Sequence, residues 1–174
     1  MTVTAEELGT QNIKNLLIKQ AVPSSIGILF MSVNILIDTI FVGQWIGSLA
    51  IAAVTVVLPI TFLISSLGMA IGVGGGSVLS RALGANHKEK ALYTFGNQIV
   101  MTLLLSALFS LFGIIFSDQM LLLFGAKGAI MEPAKEFFFP IILSVPFLAL
   151  CMMGNNIIRA EGKAKFAMIA MIIP

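Results

Sequence analysis

Long apolar runs separated by short polar segments dominate the sequence. No charged residue occurs within residues 39–80, 91–117 or 137–158, and residues 21–46 contain one, Asp38. A helix needs roughly 20 apolar residues to cross about 30 Å of hydrocarbon, so each run is long enough to span a membrane. Membrane barrels require alternating apolar and polar positions instead. The pattern predicts an all-α, polytopic membrane protein whose four spanning helices lie at about residues 20–42, 50–76, 91–116 and 136–158.

Composition supports this class and excludes others. Of the 174 residues, 58% are hydrophobic and 10% are charged, whereas soluble domains average about 45–50% and 25%. The net charge of +2 is too small and too dispersed to form a nucleic-acid-binding surface. We therefore expect a lipid bilayer as partner, and neither a soluble globule nor a nucleic-acid-binding protein.

The basic residues beside the spans predict an orientation. Eight of the ten lie before the first span, between the second and third, or after the fourth: Lys14, Lys19, Arg81, Lys88, Lys90, Arg159, Lys163 and Lys165. The opposite face has only Lys127 and Lys135. Basic loops stay in the cytoplasm, so residues 1–19 are predicted to form a cytoplasmic N-terminal segment of a protein in the cell membrane.

Three shorter segments complete the outline. Glu6 and Glu7 precede a first run longer than the 7–15 apolar residues of a signal peptide, so we favour a retained spanning helix. Residues 117–135 are long enough for a surface helix that covers the bundle at the interface. Residues 166–174 would rise only about 13 Å as a helix. We interpret them as the start of a truncated fifth helix; a four-helix protein with a surface stub is the alternative.

The first span carries the most suggestive chemistry. Its polar and small residues are spaced three or four apart, which places them on one helical face: Ser24, Gly27, Met31, Asn34 and Asp38. An ionised Asp deep in a membrane costs about 2.5–3.5 kcal/mol, so it should face protein or a wet cavity. Asn34 lies one turn from Asp38 and can share a cation with it or donate to its carboxylate.

These two residues are the candidate ion-coupling site, for H⁺ or for a Na⁺ ion held by Asp38 and Asn34. If two conformations solvate the Asp38 carboxylate differently, it binds a cation in one and releases it in the other. The simpler alternative is that Asp38 lies close enough to the outer end of its helix to reach the lipid headgroups. The rule that ionisable residues inside membranes mark transport pathways favours the functional interpretation.

The second span predicts close helix packing or flexing. Gly68, Gly72 and Gly76 repeat every four residues and form a flat stripe that another helix can approach. Pro59 removes a backbone hydrogen bond from the same helix and should loosen it. Tight packing alone and bending during transport are both consistent with this pattern. The glycines lack the Lys-Ser/Thr of a phosphate-binding loop.

The fourth span combines prolines with residues that suit a ligand cavity or an irregular core: Pro140, Pro146, Met152, Met153, Asn155 and Asn156. The core interpretation is favoured for each methionine. His87 lies in a polar turn, and Cys151 has no second cysteine to pair with. No nucleophile, base or cofactor site can be assembled from these residues, so we expect no enzyme.

Three separated segments resemble the MATE (multidrug and toxic compound extrusion) family of transporters. Residues 34–54 read N-I-L-I-D-T-I-F-V-G-Q-W-I-G-S-L-A-I-A-A-V, similar to the first-helix signature of that family. Residues 80–85 read S-R-A-L-G-A and residues 156–162 read N-I-I-R-A-E-G, similar to the segments after its second and fourth helices. The three matches occur in the family's order and on the expected membrane faces.

The resemblance implies a twelve-helix transporter of two six-helix lobes that exports cationic or amphiphilic compounds in exchange for H⁺ or Na⁺. The family's first-helix coupling carboxylate falls on Asp38 and its neighbouring polar position on Asn34. Residues 20–174 would form part of the N-terminal lobe, and a complete transporter would need further C-terminal helices. Two alternatives are a lipid-linked sugar flippase of the wider superfamily and a small membrane subunit that transports nothing.

Overall fold

The structure is a computed structural model that describes residues 12–172. These residues form six α-helices and one 3₁₀ turn, Gly128–Ile130. The helices are α1 (Ile13–Trp45), α2 (Ser48–Gly84), α3 (Lys88–Ile115), α4 (Ser117–Leu123), α5 (Met131–Ala160) and α6 (Ala164–Ile172). Four helical segments, α1, α2, α3 and residues 128–160, are long and apolar enough to cross a membrane. The prediction of an all-α, polytopic fold is confirmed.

The long helices extend the predicted spans at most of their ends, because polar residues continue each helix into the interface. At the start of α1, the Asn12 side chain caps the helix by accepting a hydrogen bond from the Lys14 N–H at 3.2 Å. The predicted third span is the exception, since α3 ends one residue earlier, at Ile115. The expectations about residues 1–11, including Glu6 and Glu7, and about the last two residues of segment 166–174 lie outside the described residues.

The connection between α1 and α2 is tight. It consists of Ile46 and Gly47 alone, and the Gly47 N–H donates to the Val42 carbonyl at 3.2 Å. Gly47 has φ +108°, a backbone conformation that costs little only without a Cβ atom. The glycine therefore allows the chain to reverse between two spanning helices within two residues.

The most extensive helix contact joins α2 to α5, and glycine makes it possible. A Cβ atom on Gly68 would lie 2.7 Å from the Ala149 carbonyl oxygen, and one on Gly72 would lie 3.0 Å from the Met153 Cα. One turn further, Gly76 faces the Ala160 methyl group. The predicted glycine stripe thus lies directly against the main chain of α5, which lets the two backbones approach closely.

Helix α3 packs against this pair with polar and small residues. Gln98, Thr102 and Ser106 are buried at four-residue spacing along one face. One turn beyond them, the Ser110 hydroxyl donates to the Ile142 carbonyl of α5 at 2.7 Å. Interhelical hydrogen bonds of this kind stabilise membrane bundles, in which lipid already solvates apolar side chains.

Apolar side chains fill both ends of the α2–α3–α5 bundle. The larger cluster includes Ile60, Phe138 and Leu121, and the smaller one, at the opposite end, includes Leu79 and Ile157. Leu121 belongs to α4, which is shorter than the predicted surface segment 117–135. The Leu121 side chain is buried, whereas that of Leu123 in the same helix is exposed. Helix α4 therefore lies on the bundle with one face, as an interfacial cover does.

Helices α1 and α6 form a second, smaller packing unit. Within α1 the buried residues are Pro23 and Gly27. A Cβ atom on Gly27 would lie 3.4 Å from the Met171 sulfur and 3.6 Å from the Met168 Cα, so α6 packs directly onto it. Further along the helix, Gly43 of α1 lies against the Ile51 side chain of α2, beside the turn that joins the two helices. Between these contacts, residues 31–41 of α1 are all exposed.

The glycine contact gives a direct test. We expect Gly68→Ala to lower the free energy of unfolding by about 1–3 kcal/mol, because its methyl group would overlap the rigid main chain of α5. Gly96→Ala in α3 is the matched control, since no atom lies within 4 Å of its Cβ position. Unfolding in detergent measures both variants, and equal stability for the two would contradict the close contact.

Candidate functional site

Asn34 and Asp38 lie on the exposed C-terminal half of α1. The helix is continuous through both residues, so their spacing of four places them one turn apart on the same side. Both are exposed, and no hydrogen bond or ion pair within residues 12–172 involves either side chain. The amide and the carboxylate are therefore available to an incoming cation or to another part of the protein.

Other polar side chains on α1 do form hydrogen bonds. The Thr39 hydroxyl donates to the Ile35 carbonyl at 2.8 Å, and the Ser32 hydroxyl donates to the Ile28 carbonyl at 3.0 Å. Hydroxyl groups satisfied in this way by their own helix are tolerated in an apolar environment. The Asp38 carboxylate cannot be satisfied in this way, because it accepts hydrogen bonds and the helix carbonyls only accept as well.

The depth of Asp38 follows from its place on the helix. It is separated by 11 residues, about 16 Å, from Gly27, where α6 packs, and by 7 residues, about 10 Å, from the end of α1 at Trp45. The carboxylate thus lies within the candidate span and beyond the contact with α6. A charge at that depth in lipid is costly unless protein, water or a cation surrounds it.

The predicted polar face of α1 divides into two parts. Gly27 is buried and Ser24 is half-buried where α6 packs, whereas Met31, Asn34 and Asp38 are exposed. The N-terminal part of the face therefore serves helix packing. Its C-terminal part is the candidate site.

The donor atoms limit what this site can bind. The Asp38 carboxylate and the Asn34 carbonyl provide oxygen ligands, which suit a hard cation such as Na⁺, and the carboxylate alone suffices for a proton. Residues 12–172 contain no cluster of three or more His, Cys, Asp or Glu that could hold a metal ion. A complete Na⁺ site would therefore need oxygen atoms from outside this pair.

Three of the residues singled out on the fourth span lie in helix contacts. Met153 is buried against Gly72, the Asn155 amide donates to the Ala167 carbonyl of α6 at 3.1 Å, and the Asn156 amide donates to the Met152 carbonyl at 2.8 Å. These contacts agree with the core interpretation. The flexing proposed at Pro59 stays a prediction, because α2 is continuous through this exposed proline.

Gln98 is a buried polar residue that is not among the predicted site residues. Its side chain is 5% exposed, and its Nε2 donates to the Ile71 carbonyl oxygen of α2 at 3.0 Å. A glutamine within the charge-free run 91–117 was the available signal. The sequence did not indicate that it would meet the glycines of the preceding helix.

Comparisons with known proteins agree with this architecture. The model of the MatE family matches residues 23–174. The multidrug export protein MepA of Staphylococcus aureus is 29% identical over 152 residues, and the FAD transporter of Shewanella oneidensis is 29% identical over 153 residues. These alignments cover 87% and 88% of the chain and 34% of each relative, so the chain spans about a third of their length.

A similar match, over most of this chain and about a third of the other, is found with solved structures. The MATE multidrug transporter DinF-BH superposes with a TM-score of 0.89 at 38% sequence identity. The match covers 97% of this chain and 38% of that one. The chain belongs to the MatE family, whose members are transporters and not enzymes, and it is a multi-pass membrane protein.

Proposed function

We propose that this chain works in a secondary antiporter that exports cationic or amphiphilic small molecules in exchange for H⁺ or Na⁺. Asp38 and Asn34 form its coupling site in this proposal. The observation that carries it is the Asp38 carboxylate, which is exposed inside a membrane-spanning helix and has no partner within residues 12–172. Intramembrane carboxylates with this placement mark ion pathways.

The coupling follows from how the surroundings of Asp38 change. When its face of α1 is enclosed by apolar groups, the charged form is disfavoured and the carboxylate takes up a proton or a cation. When the face opens to water, the charged form becomes favourable and the ion leaves. Exchange results if the exported compound prefers the conformation that the ion disfavours.

A working transporter in this proposal needs helices beyond those described. The face that carries Asn34 and Asp38 is open, and the curated relatives are about three times as long as the matched segment. Further helices would enclose the site and form most of the substrate cavity. They would also supply the remaining oxygen ligands if the coupling ion is Na⁺.

The substrate class is inferred from the relatives. MepA is named a multidrug export protein, which supports export of cationic or amphiphilic drugs. The similarity to a protein named FAD transporter supports a second candidate, export of an anionic dinucleotide. A transport assay should therefore include both a cationic dye and FAD. Neither compound would be moved by a lipid-linked sugar flippase or by a subunit that transports nothing.

Replacing the carboxylate tests the coupling site. In the full-length protein in proteoliposomes, we expect Asp38→Asn to abolish transport driven by an imposed H⁺ or Na⁺ gradient, at least about a hundredfold, because the amide cannot bind and release either ion. Membrane insertion should be unchanged. Comparing a pH gradient with a Na⁺ gradient identifies the coupling ion.

Asp118→Asn is the matched control. Asp118 is the only other aspartate in the sequence, and it pairs with Lys135 at 2.9 Å outside the charge-free spans. Exposed ion pairs contribute little stability, so this variant should transport at the wild-type rate. Gradient-driven efflux that survives Asp38→Asn would remove this residue from the mechanism.

The proposed orientation, with a cytoplasmic N-terminus in the cell membrane, has its own test. Lys127 and Lys88 are exposed and lie at opposite ends of the bundle. In a Cys151→Ser background, a membrane-impermeant thiol reagent added to intact cells should label Lys127→Cys and leave Lys88→Cys unlabelled until the cells are opened. The reverse labelling pattern would invert the proposed topology.

A further inference from the structure

The Gln98 amide is inserted between α3 and the glycine-rich part of α2. Its Nε2 donates to the Ile71 carbonyl oxygen at 3.0 Å. A Cβ atom on Gly75 would overlap this amide, so only glycine leaves room for it. The side chain of α3 therefore lies directly on the backbone of α2 at residues 71 and 75.

These two α2 residues are partners in the helix itself. In α-helical geometry the Gly75 N–H donates to the Ile71 carbonyl, the same oxygen that accepts from Gln98. The carbonyl thus faces two donors at one turn of the helix. Glycine is also the weakest common helix former after proline, and Gly72, Gly74 and Gly76 surround this turn.

The other end of the Gln98 amide is unsatisfied. Its Oε1 is buried and accepts no hydrogen bond from any described residue. A buried amide ordinarily has partners for both its donor and its acceptor, because leaving either unpaired is unfavourable. The Gly75 N–H is the backbone donor of the same turn, and the Gln98 amide lies against that residue.

We propose that residues 71–75 of α2 are a bending point for which Gln98 is the positioning residue. On bending, the Gly75 N–H leaves the Ile71 carbonyl and donates to Gln98 Oε1, while Nε2 keeps its bond to Ile71. The side-chain amide then bridges the opened turn, and both freed backbone groups stay satisfied within the membrane, where water cannot replace them. In the straight helix only one of the two bridging bonds is present, the one from Gln98 Nε2 to the Ile71 carbonyl.

This arrangement explains why a polar residue is placed here. An apolar residue at position 98 would pack against α2 but would leave two backbone groups unpaired on bending, so the bent state would be rare. Gly68, Gly72 and Gly76 lie against α5, whereas Gly75 faces α3. The bending point therefore lies between α3 and α5, which contact opposite sides of α2.

The inference rests on the proposed transport activity and is tested by separating turnover from binding. In the full-length protein in proteoliposomes, we expect Gln98→Leu to lower maximal turnover about tenfold and to leave the apparent KM within about twofold of wild type, because bending is impaired while the substrate site is intact. Gly96→Ala in α3 is the control, since it lies outside residues 71–75 and no atom lies within 4 Å of its Cβ position, and it should turn over normally.

A second variant distinguishes bridging from packing. Gly75→Ala should lower both thermal stability and turnover, because its methyl group overlaps the Gln98 amide. Adding Gln98→Ala removes the overlap, so the double variant should regain stability but keep low turnover, since the bridging amide is gone. Recovery of both properties would show that Gln98 only packs, and would overturn the inference. This variant also carries the test if Gln98→Leu fails to insert.

The bend itself can be measured without transport. Leu58 and Ser77 are exposed on α2 and are separated by 19 residues, about 28 Å in a straight helix. Spin labels at these positions, in a Cys151→Ser background, should give two distances in wild type and one in Gln98→Leu. One unchanged distance in both proteins would overturn the bending point. If the wild type gives two distances but the Asp38→Asn variant still transports, only the proposed coupling site is overturned.

Discussion

The direct contact between the backbones of α2 and α5 is the constraint on which the rest of the bundle depends. Lipid solvates apolar side chains as well as a protein interior does, so helices in a membrane associate through close packing and hydrogen bonds. Gly68 and Gly72 remove the side chains that would separate the two helices. Helix α3 packs against this pair. Its Ser110 hydroxyl donates to a carbonyl group of α5, and its Gln98 amide donates to a carbonyl group of α2.

The two packing units differ in how extensively they are held together. The α2–α3–α5 unit is held by glycine contacts, apolar clusters at both ends and interhelical hydrogen bonds. The α1–α6 unit is held by a contact near Gly27, and α6 is tied to α5 by the Asn155 amide. The candidate ion site lies on the less enclosed unit. Residues whose surroundings must change during a cycle belong on such a unit, because fewer contacts resist the change.

Much of the fold was predictable from the sequence because lipid imposes a simple rule. Uninterrupted apolar runs must be helical, so the four spans follow from the absence of charge between Thr39 and Ser80 and in the two later runs. The four-residue period of the glycines likewise indicated a helix contact. The pairing of α1 with α6 was not predictable, since Gly27 and Met168 are distant in sequence and neither residue type specifies the other.

The candidate site was only partly predictable. A carboxylate inside an apolar run is conspicuous, and its spacing from Asn34 places both on one face of a helix. Gln98 gave a weaker signal, because a single amide in a long apolar run does not indicate which backbone it meets. Its role depends on the absence of a side chain at Gly75, a three-dimensional fact that helix periodicity alone does not contain.

The short connection at Gly47 has a mechanical consequence. Three virtual Cα–Cα bonds join Trp45 to Ser48, so the adjoining ends of α1 and α2 stay within roughly 11 Å of each other in every conformation. The turn holds the C-terminal end of α1 to the larger unit, and α6 contacts α1 at Gly27. A tilt about this connection would displace the N-terminal end of α1, about 48 Å away along the helix, much further than Asp38, about 10 Å away.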